Sequence, residues 1–252
     1  MPAVTSATAS AVATPSLEAR SRERTVLSLL VAAATVLVVL ALSVFVLVQP
    51  GFTHWALRSA GSAELLRISP AQVEAISDRT IGELLAGPGT FVFPLEAGGP
   101  PFYDRAEAAH LGDARLLFWL LVGGGFAGGL LLAAALAGSG REAWPWRAIS
   151  AGGATLAIAL VVVGAGFVVA FDAAFELFHR LFFPQGNWAF DPTTERIVLL
   201  YPTAFWQLAV GGLGVLGIAG GTICWAVGRA QAGRIERAAR VGRVDRTSRG
   251  AR

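Results

Sequence analysis

Along most of this chain the hydrophobic and polar positions do not alternate; they separate into long blocks. Residues 26–48, 116–137, 148–170 and 205–227 contain no Asp, Glu, Lys, Arg or His. A bilayer core of roughly 30 Å needs about 20 apolar residues as helix, and each block is long enough. Backbone groups in lipid must pair within their own segment, so each block predicts a transmembrane helix. The first block exceeds the apolar core of a cleaved signal, roughly 7–15 residues, and reads as an uncleaved anchor. The expected fold is an all-α membrane protein with four spans. Residues 1–24 form a disordered cytoplasmic tail, 25–228 the four-helix transmembrane domain, and 229–252 a basic cytoplasmic tail. The two large loops, 49–115 and 171–204, contain short helices and lie together on the outer face.

Composition agrees with that class and charge sets its orientation. The chain has 252 residues, of which 54% are hydrophobic and 15% charged, too apolar for an ordinary soluble domain. All 20 basic residues are arginine. The two tails and the short loop 138–147 hold 13 arginines and 5 acids, a net of +8; the two large loops hold 7 and 12, a net of −5. Excess arginine marks the cytoplasmic side, so both termini are expected on the cytoplasmic face of an inner membrane. Cys224, the single cysteine, sits in an apolar block, where a thiol has a raised pKa and stays inert. Gly124/Gly128, Gly125/Gly129 and Gly217/Gly221 are small-xxx-small pairs that predict close helix packing. From Arg234 onward, arginines recur every three residues. That spacing drifts around a helix rather than making a stripe, and predicts a disordered tail touching anionic lipid.

The absence of ionisable groups from the spans argues against transport. Pumps and ion-coupled carriers place Asp, Glu or His at membrane depth, and no inverted repeat is visible. Chemistry is therefore expected in the outer loops. In the first, Ser69-Pro70-Ala71-Gln72 reads as a capping box with proline at the first helical position. Val73, Ile76, Thr80 and Leu84 share a face, and Gly87-Pro88-Gly89 is the stop. This amphipathic helix over 69–86 either lies on the membrane or covers a site, or simply packs within the loop. Further on, Glu107, His110 and Asp113 are three residues apart, which makes successive members neighbours on a helix. In the second loop Asp172, Glu176 and His179 fall at i, i+4 and i+7, before a break at Pro184-Gln185-Gly186-Asn187.

Spans two and three are joined by only about ten residues, so they are expected as antiparallel neighbours. At about 1.5 Å per residue, His110 stands roughly 9 Å and His179 roughly 13 Å beyond their spans. Both histidines then sit at similar height, each with acids on its helical face, and can converge above the outer headgroups. Phe182, Phe183, Trp188 and Trp206 fit an aromatic belt, and His54, beside Trp55, reads as an interface residue. A metal-dependent hydrolase with His110, His179 and a carboxylate holding zinc is one alternative, although no His-x-x-x-His pair supports it. A non-catalytic membrane scaffold is another.

The segments around the two histidines resemble a known family. They comprise a Glu-x-x-His-Leu-x-Asp stretch (Glu107, His110, Leu111, Asp113), a Phe-His-x-x-Phe-Phe stretch (Phe178, His179, Phe182, Phe183), Trp188-x-Phe190-Asp191, and Tyr201-Pro202 before the last span. In this order and placement they resemble the lipoprotein intramolecular transacylase (Lit) family of bacterial membrane proteins, over residues 25–227. The resemblance implies transfer of the sn-2 acyl chain of a diacylglyceryl-cysteine lipoprotein to the cysteine α-amine, giving a lyso-form N-acyl lipoprotein. It implies His110 and His179 as the catalytic residues. Histidine suits the chemistry, because an amine must lose a proton as it attacks an ester and the leaving alkoxide must gain one. His110 is expected as the base, oriented by Glu107 or Asp113. Glu176 is a supporting residue and Asn187 a candidate oxyanion donor. The expected partners are a diacylated lipoprotein N-terminus and membrane lipid. No cofactor, metal or nucleic acid is expected.

Overall fold

The computed structural model describes residues 17–250, and among these nearly all the regular structure is helix. Four helices carry the apolar blocks: α1 (Leu17–Leu47), α5 (Arg105–Gly138), α6 (Trp144–Val169) and α9 (Thr203–Gly250). Between them lie α2 (Pro50–Ser59), α3 (Ser62–Leu66), α4 (Pro70–Leu85), α7 (Phe171–Phe182) and α8 (Arg196–Leu200). The chain is an integral membrane protein by the length and apolarity of its four long helices. Their apolar side chains point outward. Leu120, Phe126, Val162 and Val215 are each more than 60% exposed, as lipid-facing residues must be.

Two tail expectations are corrected. Helix α1 already begins at Leu17, so residues 17–24 are helical; residues 1–16 lie outside the described residues. Helix α9 runs unbroken from Thr203 to Gly250 in place of a disordered tail after 228. Arginine is a good helix former, and the segment after Val227 lacks proline until the chain ends. Charge pairs brace the same end of the bundle. Arg147 binds Glu236 at 2.5 Å and Arg24 binds Glu142 at 2.6 Å.

Spans two and three are not the neighbours their short connection predicts. Helix α6 packs chiefly on α9 and α1, and α5 packs on α1, so α1 stands between α5 and α6 for most of their length. They meet near the turn that joins them, where Leu131, Leu132 and Leu136 reach the cluster of Val31, Ala148 and Ile149. Glycine decides which helices close. Gly125 and Gly128 face Ala41 and Ala34 of α1, whereas Gly129 faces open space. Gly153 of α6 and Gly221 of α9 lie back to back: a Cβ on Gly221 would stand 2.7 Å from the Gly153 carbonyl oxygen.

At the opposite end, the two large loops fold into one cap. Helix α4 starts as expected: Ser69 Oγ accepts from Gln72 N at 3.2 Å and Gln72 Oε1 accepts from Ser69 N at 3.0 Å. Its face of Val73, Ile76, Ser77 and Thr80 is buried. It packs with Phe91, Phe93, Phe102, Tyr103, Leu200 and Tyr201 in the main core cluster. It is thus a packed element of the cap. Buried hydroxyls are paired: Thr80 with Tyr103 at 2.8 Å, and Tyr201 with Ser77 at 3.1 Å. His54 joins this cap. Its Nε2 is 2.8 Å from Asp78 Oδ1, and Arg58 pairs with Glu74, so α2 is pinned to α4.

Substitution of Gly221 by leucine should force α6 and α9 apart. Overpacking of this kind costs about 1–3 kcal/mol or more. Thermal unfolding of the purified protein in detergent should show a clear loss for Gly221→Leu. Gly129→Leu, at a position with no atom within 4 Å, should stay within about 0.5 kcal/mol of the parent.

Candidate active site

Helix α5 is 34 residues long, roughly 50 Å at the usual rise, and only its charge-free part from 116 onward can lie in the bilayer core. The excess turns, from Arg105 to Arg115, stand above the apolar block and carry Glu107, His110 and Asp113. Asp104 caps them. Its Oδ1 accepts from Glu107 N at 2.8 Å, and Glu107 Oε2 accepts from Asp104 N at 2.7 Å. Helix α6 ends at Val169, where Ala170 takes φ −144° and ψ 62°, and α7 sets off in a new direction. That turn carries His179 over α5.

The two imidazoles meet. Their ring centroids are 5.9 Å apart and their planes 30° apart. Each residue is 8% exposed. Aromatic rings wall them in: Phe183 at 4.7 Å and Phe190 at 5.6 Å from His110, Phe175 at 4.2 Å and Trp188 at 5.1 Å from His179. Phe183 and Trp188 therefore serve this pocket rather than a lipid belt. Burial among them pushes the His110 imidazole below its ordinary value, and His179 adds to the fall while Asp113 and Asn187 oppose it. Burial also lowers His179, opposed by its hydrogen bond to the Phe175 carbonyl. Both shifts favour the neutral rings.

The flanking acids have other duties than the sequence suggests. Glu107 is 1% exposed and turns away from His110. Its Oε1 accepts the Ile197 backbone N–H at 2.6 Å, which ties α5 to α8. Burial raises its carboxyl above the ordinary range, against the two backbone N–H groups that hold it down. Glu176 is exposed and binds Arg180 at 2.5 Å, one turn away. It does not approach His179, whose Nδ1 instead donates to the Phe175 carbonyl oxygen at 2.8 Å. Asp113 Oδ2 accepts from Gln185 Nε2 at 2.8 Å and from Asn187 Nδ2 at 2.7 Å. The Asn187 amide nitrogen is thus turned onto Asp113 rather than held out as an oxyanion donor. Gln185 and the Phe175 carbonyl were not singled out from the sequence. The first could have been suspected from two amides flanking a glycine; the second leaves no mark on a side-chain pattern.

Among the described residues, the three side chains close enough to share a cation are Asp104, Glu107 and Glu195, whose ligand atoms lie within 4.8 Å of one another. Neither histidine belongs to that group, and nothing in it favours the zinc hydrolase reading.

Comparison with known proteins agrees with the geometry. The family described as lipoprotein intramolecular transacylase Lit matches residues 27–206. No curated protein matches the sequence. Among solved structures, the membrane integral lipoprotein intramolecular transacylase Lit from Bacillus cereus superposes with a TM-score of 0.71 at 16% identity, over 86% of this chain and 99% of that one. A form of the Bacillus cereus protein with a histidine-to-arginine mutation gives 0.61 at 16% identity, over 88% and 97%. At such identity the likeness is one of fold.

Glu107 is the residue on which the cap's geometry hangs. Glu107→Ala leaves the buried Ile197 N–H without its acceptor, at a cost of about 1–3 kcal/mol. Its melting temperature in detergent should fall clearly below the parent's. Glu176→Ala, which removes only an exposed pair, should not shift it measurably.

Proposed function

The chain belongs to the lipoprotein intramolecular transacylase Lit family, a family of enzymes, and from that membership we propose that it moves the sn-2 acyl chain of a diacylglyceryl-cysteine lipoprotein onto the cysteine α-amine, with His110 and His179 as its catalytic pair. The observation that carries the proposal is two buried imidazoles with ring centroids 5.9 Å apart on the cap side of the membrane spans.

The chemistry follows from that placement. An α-amine titrates near 7.7–8.0, so a neutral nucleophile is available at neutral pH. As its nitrogen bonds to the ester carbonyl, it becomes strongly acidic and sheds a proton. A neutral imidazole accepts that proton, and lowered pKa values keep both rings ready to do so. His110 takes the proton from the nitrogen. It passes that proton to Nε2 of His179, whose Nδ1–H is fixed on a backbone carbonyl, and His179 delivers it to the glycerol oxygen as the ester C–O bond breaks. One N–H and one ester become one amide and one hydroxyl, and the pair ends as neutral as it began. Such acid–base assistance is typically worth ~10²–10⁴-fold. Amine and ester belong to one molecule, so binding it folded supplies the proximity without an acyl-enzyme. The arginine distribution supports a cap on the outer face of the cytoplasmic membrane, with both termini inside.

The test is mass spectrometry of lipoprotein N-termini from a host whose lipoproteins are only diacylated. Cells expressing the parent chain should yield N-acyl lyso-lipoprotein. His110→Ala and His179→Ala should each abolish it while the protein still accumulates in the membrane. The double variant should be no worse than either, since groups acting as a unit are lost together. Full activity in either single variant would return weight to a scaffold role.

The neutrality of the pair is tested separately. The chain has three histidines, so imidazole NMR signals can be assigned by single substitutions. Both His110 and His179 should titrate below the ordinary 6.5, and His110→Ala should move His179 upward because it unburies its neighbour.

A further inference from the structure

The two catalytic histidines are not held by the same means. His179 has its Nδ1–H on the Phe175 carbonyl oxygen, so its backbone fixes the tautomer. Among the described residues, two buried side-chain polar atoms are left without a hydrogen-bond partner: Nδ1 of His110 and Oδ1 of Asn187. A ring nitrogen that can carry a hydrogen is one half of a pair, and an amide oxygen that can only accept is the other.

Both residues are neighbours of Asp113. Asp113 follows His110 by three residues on α5, so the two side chains are neighbours on one helix face. Across from them, Pro184 to Trp188 form a turn in which Gly186 has φ +80°, a left-handed conformation that glycine adopts without strain. The turn sends both Gln185 and Asn187 back to Asp113 Oδ2, at 2.8 and 2.7 Å. A carboxylate only accepts, so it can face only the NH2 end of each amide. The ambiguity that normally attends an asparagine side chain is thereby removed, and Asn187 Oδ1 is directed away from Asp113. Asn187 also opposes the fall that burial imposes on the His110 imidazole.

We infer that Asn187 is a positioning residue for the proposed acyl transfer: held by Asp113, it presents its Oδ1 to His110 Nδ1–H and so leaves the lone pair of His110 on Nε2 as the base. In this structure neither atom has a hydrogen-bond partner, and the inferred bond is one made with substrate in place; catalytic hydrogen bonds commonly tighten in this way. Asp113, Gln185 and Gly186 act one step further out, by fixing the amide. The inference rests on the histidine-pair reading and adds to it the device that selects one of His110's two neutral tautomers. The groups facing His110 are Asp113 on its own helix, His179 from α7, and Asn187 from the turn, with Phe183 and Phe190 apolar.

The experiment uses the full-length protein in detergent with a diacylglyceryl-cysteine lipopeptide, and imidazole-¹⁵N-labelled histidine for NMR. In the parent, His110 should show Nδ1 protonated and Nε2 bare. Asp113→Asn frees the Asn187 amide to turn over and offer its NH2, so the bare nitrogen should shift towards Nδ1. Asn187→Ala should leave a mixture. In both variants kcat should fall about ten- to a hundredfold while KM stays within about threefold, the mark of a lost transition-state contribution. Each variant can carry the test if the other fails to fold. His110→Ala is run alongside. If it is inactive while Asn187→Ala and Asp113→Asn keep the parental tautomer and kcat, the positioning role is overturned and the catalytic pair stands. If His110→Ala itself is active, the pair falls, and this inference with it.

Discussion

Glu107 is the joint between the two loops that make the cap. Its carboxylate is buried, and burying such a group is costly unless its oxygens are paired. Both are. One closes the capping box that starts α5, and the other takes the backbone N–H of Ile197, ninety residues on. The start of the second span and the approach to the fourth are thereby fixed to one another. Arg196, the residue before Ile197, reinforces the same joint by donating to the carbonyl oxygens of Phe102 and Pro101. His110 lies on the helical turn after Glu107, so its height and direction follow from this arrangement.

The membrane imposes the rest. Spans without ionisable groups can fold in lipid but offer no acid, base or nucleophile, so the chemistry gathers where the chain leaves the apolar layer. Helix α1 separates α5 from α6 within the bundle, and α7 returns across the top to bring His179 to His110. Aromatic rings then exclude water from the pair. This favours the neutral imidazoles, and in the proposed reaction the low local dielectric would strengthen the electrostatic terms between substrate and site. In the proposed reaction an ester linked to the same molecule as the attacking amine needs proton transfer and little else, which two imidazoles are suited to supply.

The parts legible in the sequence were those with a period, a run or a local signal. The spans showed as charge-free blocks, α4 as a capping box, and the histidine pair as two residues at similar height. What was hidden depended on contacts between distant positions. Nothing around Glu107 announces Ile197, and nothing around Asp113 announces Asn187, 74 residues away. The short connection between spans two and three suggested neighbours, but the close approach of glycines to α1 and α9 decided the packing. His54 looked like an interface residue because its partner Asp78 lies 24 residues on. The last helix outran its apolar block because helix propensity, unlike hydropathy, does not stop at Val227.

The central claim is that the acyl chain moves within one lipoprotein molecule. It is tested most directly with a diacylglyceryl-cysteine lipopeptide bearing a ¹³C-labelled sn-2 chain and an unlabelled sn-1 chain, in vesicles of deuterated phospholipid with the purified protein. Mass spectrometry of the product locates each label. The expected result is the ¹³C chain on the cysteine amine, the unlabelled chain still on glycerol, and no deuterium in the peptide. A deuterated chain on the amine, or ¹³C fatty acid released free, would contradict the account.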